Sequence, residues 1–268
     1  TMANTGNATD FGNLTAAKYG TAGVSNTTRG VFGGGIHSSY ATDIDYVTID
    51  TTGNATDFGD LTVGRYSARA ASDNSRDVFC TGDGNPVTNT IDYITIASFG
   101  DSQEFGDLQA TKAYAGGLSS STRGLIVSQY SPLVNVIESV EISTTGNALD
   151  FGDMTVAIRY NAGCQSPTRA LNGGGYTAGA ASKRAIDYVT ISSTGNAADF
   201  GDLISGQARY PGSASSNTRG LWFGGAPSNS NVIQYVTISS TGDAADHGDL
   251  TAGKQNHAGA SNAHGGLD

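Results

Sequence analysis

Apolar and polar positions alternate along residues 44–49, Ile-Asp-Tyr-Val-Thr-Ile, and the alternation returns at 91–96, 137–142, 186–191 and 233–238. A period of two, rich in β-branched and aromatic residues, predicts a half-buried strand. Each such strand is followed by a Gly/Asn-rich turn and a second short run of the type Ala-Thr-Asp-Phe-Gly-Asp-Leu. Its Phe-Gly pair falls at Phe11, Phe58, Phe105, Phe151 and Phe200, with His247-Gly248 in the sixth place, at steps of 47, 47, 46, 49 and 47 residues. The rest of the first repeat holds a small-residue run at 19–25 and an Arg-led run at 29–35. Four strands per repeat are therefore expected: A (19–25), B (29–35), C (44–49) and D (55–61). Ser25-Asn26, Gly33-Gly34-Gly35 and Thr52-Gly53-Asn54 separate them as turns. A period of this length with four short strands predicts a β-propeller of four-stranded antiparallel blades.

Five whole repeats fit the chain, at 16–62, 63–109, 110–155, 156–204 and 205–251. Residues 1–15 read as the end of a strand C and a strand D. Residues 252–268 read as a strand A near 258–261 and the start of a strand B at 264–268. Together the ends lack only a B–C connection, so the expectation is one domain over 1–268 with six blades, the last closed by 1–15 and 252–268; five blades is the alternative. Covering exposed strand edges favours the shared blade.

Composition supports the all-β class, with 38 Gly among 268 residues and only three Glu. Good helix formers are scarce. The formal net charge of −10 leaves no cluster of Lys and Arg for a nucleic-acid groove or an anionic membrane surface. No apolar run is long enough for a membrane-spanning helix. Cys80 and Cys164 fall in different blades, too far apart to bridge.

Of the 14 Lys and Arg, 11 recur at two places, after strand D or at the start of strand B. The second set, Arg29, Arg76, Arg123, Arg169 and Arg219, predicts a structural ladder in which each guanidinium meets acids or strand-end carbonyls. Arg69, Lys183 and Arg184 fall outside both places. Asp-Phe-Gly at 57–59, 150–152 and 199–201 recurs as scaffold, without the Gly-rich loop or paired Lys of a kinase. Paired acids such as Asp57 and Asp60 have no EF-hand loop around them, and their reading is turn capping or ion pairing. His247 and His264 occupy degenerate Phe and Arg positions, so with His257 they give no metal site. No catalytic residue, metal or cofactor is expected, and the protein reads as non-enzymatic.

A Gly pair ending strand B, an acid and an aromatic in strand C, and an aromatic in strand D before Arg or Lys resemble the kelch repeat of galactose-oxidase-like propellers, with Phe where that repeat has Trp. The wording Thr-Gly-Asn-Ala-Thr-Asp-Phe-Gly-Asp-Leu is similar to repeats of marine bacteriophage tail and virion proteins. That second resemblance implies a viral structural or tail-fibre protein at a virion or extracellular surface. Its implied partners are a host surface glycan or protein, other virion proteins, or further copies of the chain in a homo-oligomer. The expected role is receptor attachment; a purely structural decoration or spacer is the alternative. The Asp45-to-Phe58 interval of 13 holds in all five repeats, whereas length changes concentrate between strands B and C. Variable loops on a fixed scaffold are where binding concentrates. The candidate binding residues are therefore His37, Tyr40, Asp83, Asn85, Gln129, Tyr130, Tyr176, Lys183, Arg184 and Asn229, on the end of the ring that carries the B–C loops.

Overall fold

Residues 5–84, 87–112, 116–129, 133–178, 183–204, 210–226, 229–256 and 258–259 are described by the computed structural model. Each repeat folds into one antiparallel sheet in simple up-and-down order. The first blade comprises β1 (Ala22–Ser25), β2 (Arg29–Gly33), β3 (Asp43–Thr48) and β4 (Thr56–Asp60). The second comprises β5 (Arg69–Ser72), β6 (Arg76–Cys80), β7 (Thr90–Thr95) and β8 (Gln103–Asp107). The third comprises β9 (Gly116–Ser119), β10 (Arg123–Gln129), β11 (Val134–Glu141) and β12 (Leu149–Asp153). The fourth comprises β13 (Ala162–Gln165), β14 (Arg169–Gly173), β15 (Ala185–Thr190) and β16 (Ala198–Asp202). The fifth comprises β17 (Gly212–Ser215), β18 (Arg219–Phe223), β19 (Val232–Thr237) and β20 (Ala245–Asp249). Among the described residues there is no helix. Strand A begins three residues later than its composition suggests because Gly20 turns the chain at φ +71°. Strand B stops at Gly33 because Gly34 and Gly35 lie at φ +69° and +107°, a region Gly enters without steric cost.

Strand A lies innermost in every blade, and its small residues crowd around an axial channel of about 90 Å³. Strand D lies outermost and carries a bulge. Ile44 pairs with Gly59 but Asp45 pairs with Asp57, so Phe58 is the extra residue, and the same shift recurs in all five blades. The bulge turns Phe58 and its equivalents inward; Phe58, Phe105, Phe151 and Phe200 are all buried. The core is not inside each sheet but between sheets. Four apolar clusters join the first blade to the second, the second to the third, the third to the fourth and the fourth to the fifth.

Outer strands are also laced by main-chain bonds to the next blade. Gly100 and Ser102 donate to the carbonyls of Phe58 and Asp60 at 2.9 and 2.8 Å, and Asp60 N–H returns a bond to Asp101 Oδ1 at 3.1 Å. The N-terminal segment takes part in this lacing twice. Gly6 and Ala8 donate to His247 and Asp249 of the fifth blade, while Gly53 and Ala55 of the first blade donate to Phe11 and Asn13. Residues 5–14 therefore tie the last blade to the first.

The number of blades is five, not six. Residues 5–14 and 258–259 do supply an outer and an inner segment at the closing joint, but a blade also needs the two middle strands, and none stands there among the described residues. The expected strand-B start at 264–268 lies outside the described residues, as do His257 and His264. Cys80 and Cys164 are free and buried.

Asp77 in β6 is a local misfit in this scaffold. Its side chain is fully buried and both carboxyl oxygens lack a partner among the described residues. The equivalent positions are Gly30, Gly124, Ala170 and Gly220. Burial, aided by Asp73, holds this carboxyl well above its ordinary value of 3.8. The folded chain thus keeps a proton that the unfolded chain releases, and this contribution to stability is present below the ordinary value and is lost as pH rises toward the raised one. Asp77→Ala should therefore stabilise the protein at pH 7 by about 1–3 kcal/mol, the usual penalty of an unsatisfied buried polar group. The gain should shrink in unfolding titrations at pH 4; a loss of stability at pH 7 would show that Asp77 has a partner.

Candidate functional site

The connections from strand D to the next strand A and the loops from B to C meet at one end of the ring. They are joined there by reciprocal main-chain bonds: Tyr66 with Asp83 at 2.7 Å in both directions, Arg159 with Tyr176 at 3.1 and 2.9 Å, and Tyr19 with Ile36 at 3.2 and 2.9 Å. Beneath them lie buried ion pairs that fix the connection to strand C. Lys18 meets Asp45 at 2.9 Å, Arg65 meets Asp92 at 2.7 Å and Lys112 meets Glu138 at 3.1 Å. A threonine adds to the same carboxylates: Thr62 Oγ1 donates to Asp92 and Thr15 Oγ1 to Asp45, both at 2.5 Å. In the fourth blade Ile158 takes the cation's place. Among the described residues Thr155 alone donates to Asp187, from its hydroxyl at 2.7 Å and its N–H at 3.3 Å, and burial raises that carboxyl.

Closer to the axis the connections form a collar. Ser67 N–H donates to Gly20, Gly20 to Asn256, Asn256 to Tyr210 and Tyr210 to Tyr160, each at 2.8–3.2 Å. All five residues have positive φ, between +52° and +71°. Left-handed backbone at four non-Gly positions is unusual, and here the chain of main-chain bonds from Ser67 round to Tyr160 holds it. Tyr160 and Tyr210 belong to the collar, with ring centroids 4.2 Å apart; Tyr19 and Tyr66 stand one residue before it, edge to face at 5.5 Å. Tyr19 is about half exposed. The Arg159 guanidinium lies over Tyr160 and Tyr176, 5.0 and 5.4 Å from their centroids. Arg69 lines the channel below and donates to the Ala68 carbonyl at 2.9 Å. Burial lowers the Arg69 guanidinium to about 10, so it stays charged at neutral pH. Burial raises the Tyr66 and Tyr210 phenols, so both keep their hydroxyl protons.

The described residues among the ten expected in the B–C loops are spread around this end of the ring. Tyr176 joins the mouth through Arg159, and the Asp83 backbone is bonded to Tyr66. His37 lies on the rim, its Nε2 3.6 Å from Asp43 Oδ2, and Tyr40 sits beside it with its carbonyl against Gly64. Lys183 is exposed, and Arg184 stands 3.8 Å from Asp202 at the outer edge. Asn229 lies against Gly253 beside the closing joint. Asn85 and Tyr130 lie outside the described residues, as does the Gln129 side chain.

Arg29, Arg76, Arg123 and Arg169 sit toward the opposite end and reach across to the next blade's strand-C end. Arg76 donates to Ser143 at 2.9 Å, Arg123 to Ile191 at 2.9 Å, Arg169 to Ile238 at 3.1 Å, and Arg29 to Ile96. Arg219 lies over Tyr235 of its own blade at 4.5 Å.

The mouth residues Tyr19, Tyr66, Tyr160, Tyr210, Arg69 and Arg159 are absent from the sequence-based set. Two signals were available: the constant step of eight from Phe11 to Tyr19 and from Phe58 to Tyr66, and the off-register position of Arg69. Among the described residues no group of three His, Cys, Asp or Glu could hold a metal ion. No family model matches the chain, and no curated protein matches it.

Proposed function

We propose that the protein is a non-enzymatic attachment propeller of a virion or cell surface, which binds a host glycan at the tyrosine-lined mouth of its channel. The observation that carries this reading is the convergence of four tyrosines and two arginines on a hydrogen-bonded collar. Stacked rings offer rigid apolar faces with neutral hydroxyls at their edges, a chemistry suited to the C–H face and hydroxyls of a sugar ring. The guanidiniums add directional donors for ring hydroxyls or an acidic sugar. The collar fixes the rings in advance, which lowers the ordering cost of binding. Support for a virion setting comes from the phage-like wording of the repeat.

The test is a glycan-array screen of the whole chain, repeated with Tyr19→Ser/Tyr66→Ser. Retention of one glycan class by the native chain and its loss in the variant are expected. Binding to no glycan would favour the purely structural module, for which the uniformly laced outer strands are the supporting observation.

A further inference from the structure

The joint between the fifth and first blades differs from the other four in what it leaves uncovered. Phe32 of β2, with Val47 of β3 and Ile49 beyond it, is only half-buried. Their equivalents in the second blade, Phe79, Ile94 and Ile96, are buried against the first blade, and those in the other blades are buried likewise. Phe11 is 38% exposed, against 3% for Phe58, and among the described residues no strand C lies beside it. These residues line a cleft of about 680 Å³ between the outer segment 11–14 and the inner residue Ala258. The outer segment keeps a strand-D conformation, Gly12 at φ +153° matching Gly59 at +148° and Gly106 at +154°; it is laced to the first blade on one side but has no strand C on the other among the described residues.

A second observation says what the cleft is shaped to receive. Lys254 stands in register with Lys18, Arg65 and Lys112, each of which is buried against the strand-C acid of the blade it leads into. Lys254 leads into the cleft and lines it, is exposed, and has no carboxylate partner among the described residues. Thr251, the equivalent of Thr15 and Thr62, likewise has no acceptor there. An apolar floor, a strand-D edge open on the side where a strand C would pair, and two unmatched donors call for two extended strands, one with an inward acid.

We propose that this cleft is a docking site for a β-hairpin presented by a separate polypeptide. Its first strand would be of the Arg-Gly-aliphatic-aromatic type and its second would carry a carboxylate for Lys254 and Thr251. The hairpin would add strands to the open edge and cover Phe32, Val47 and Ile49, so main-chain bonds would give affinity and the acid would set register.

The probe is a fluorescent peptide of residues 28–49, which carries Asp45, titrated into the full chain with residues 260–268 included. One peptide should bind per chain and raise its melting temperature. Asp45→Asn in the peptide, or Lys254→Met in the protein, should each weaken binding about tenfold, and together no more than either alone, as one charge-assisted contact predicts. Ile49→Asp in the protein should abolish binding while the circular dichroism spectrum is unchanged. No binding to the full chain, or equal binding by the two peptides, would overturn the proposal. A concentration-dependent dimer that the peptide cannot dissolve would assign the cleft to a second copy of the chain and overturn it equally.

Discussion

Replacing Lys112 by Met lowers the unfolding free energy by about 3–5 kcal/mol, the range for stripping one partner from a buried ion pair. Lys112 and Glu138 are 1% and 2% exposed, with Nζ 3.1 Å from Oε1. Without the ammonium, Glu138 keeps among the described residues the Gln109 N–H, at 3.2 Å, and must either stay charged in an apolar setting or take up a proton. The second substitution Glu138→Leu, made on top of Lys112→Met, should recover most of the loss, because desolvation of the pair offsets much of its attraction. Urea unfolding of the single and double variants measures both. A loss under about 1 kcal/mol for the single change, the value of an exposed pair, would mean that solvent reaches this site.

The second large effect is expected at Trp222. Its side chain is fully buried and its Nε1 donates to the Ala162 carbonyl of the fourth blade at 3.0 Å. Its ring fills the space left open at Gly173, where an added Cβ would come within 2.9 Å of it. Trp222→Ala opens a cavity in the core between the fourth and fifth blades and should cost about 3–5 kcal/mol. Trp222→Phe keeps most of the apolar contact and loses the bond, at about 1 kcal/mol. This is the chain's one Trp, so circular dichroism rather than fluorescence must follow the unfolding. Equal costs for Ala and Phe would show that the ring's packing does not join these blades.

The blades were legible because their signals are local. The alternation of Ile44 to Ile49 and the fixed interval to Phe58 reflect one strand pair and one bulge, repeated. The count failed at the ends because sequence complementarity of 1–15 and 252–268 says which strands are suggested, not that four of them pair. The two cation positions were visible as a rhythm, but their different environments were not. Lys18 and Arg65 lie buried on strand-C acids, whereas Arg76 and Arg123 reach carbonyls at the opposite end. The mouth was hidden for a conformational reason. Its collar position holds Gly20, Ser67, Tyr160, Tyr210 and Asn256, which share a backbone angle and a bonding pattern but no residue type. Ala113 in the third repeat and Arg159 in the fourth fall at the place of Tyr66, so the aromatic rhythm of the first two repeats does not continue.

The proposed role rests on ligand entry at the tyrosine mouth, and one titration addresses it most directly. A glycan retained in the screen is titrated by calorimetry into the native chain, into Tyr19→Ser/Tyr66→Ser, and into Thr145→Ala/Thr194→Ala, which alters exposed C–D turns at the other end of the ring. Loss of about tenfold or more in affinity at the mouth, from two aromatic contacts of roughly 0.5–1.5 kcal/mol each, with no change at the C–D turns, is the predicted result. Unchanged affinity in the tyrosine variant, with loss in the C–D variant, would contradict it.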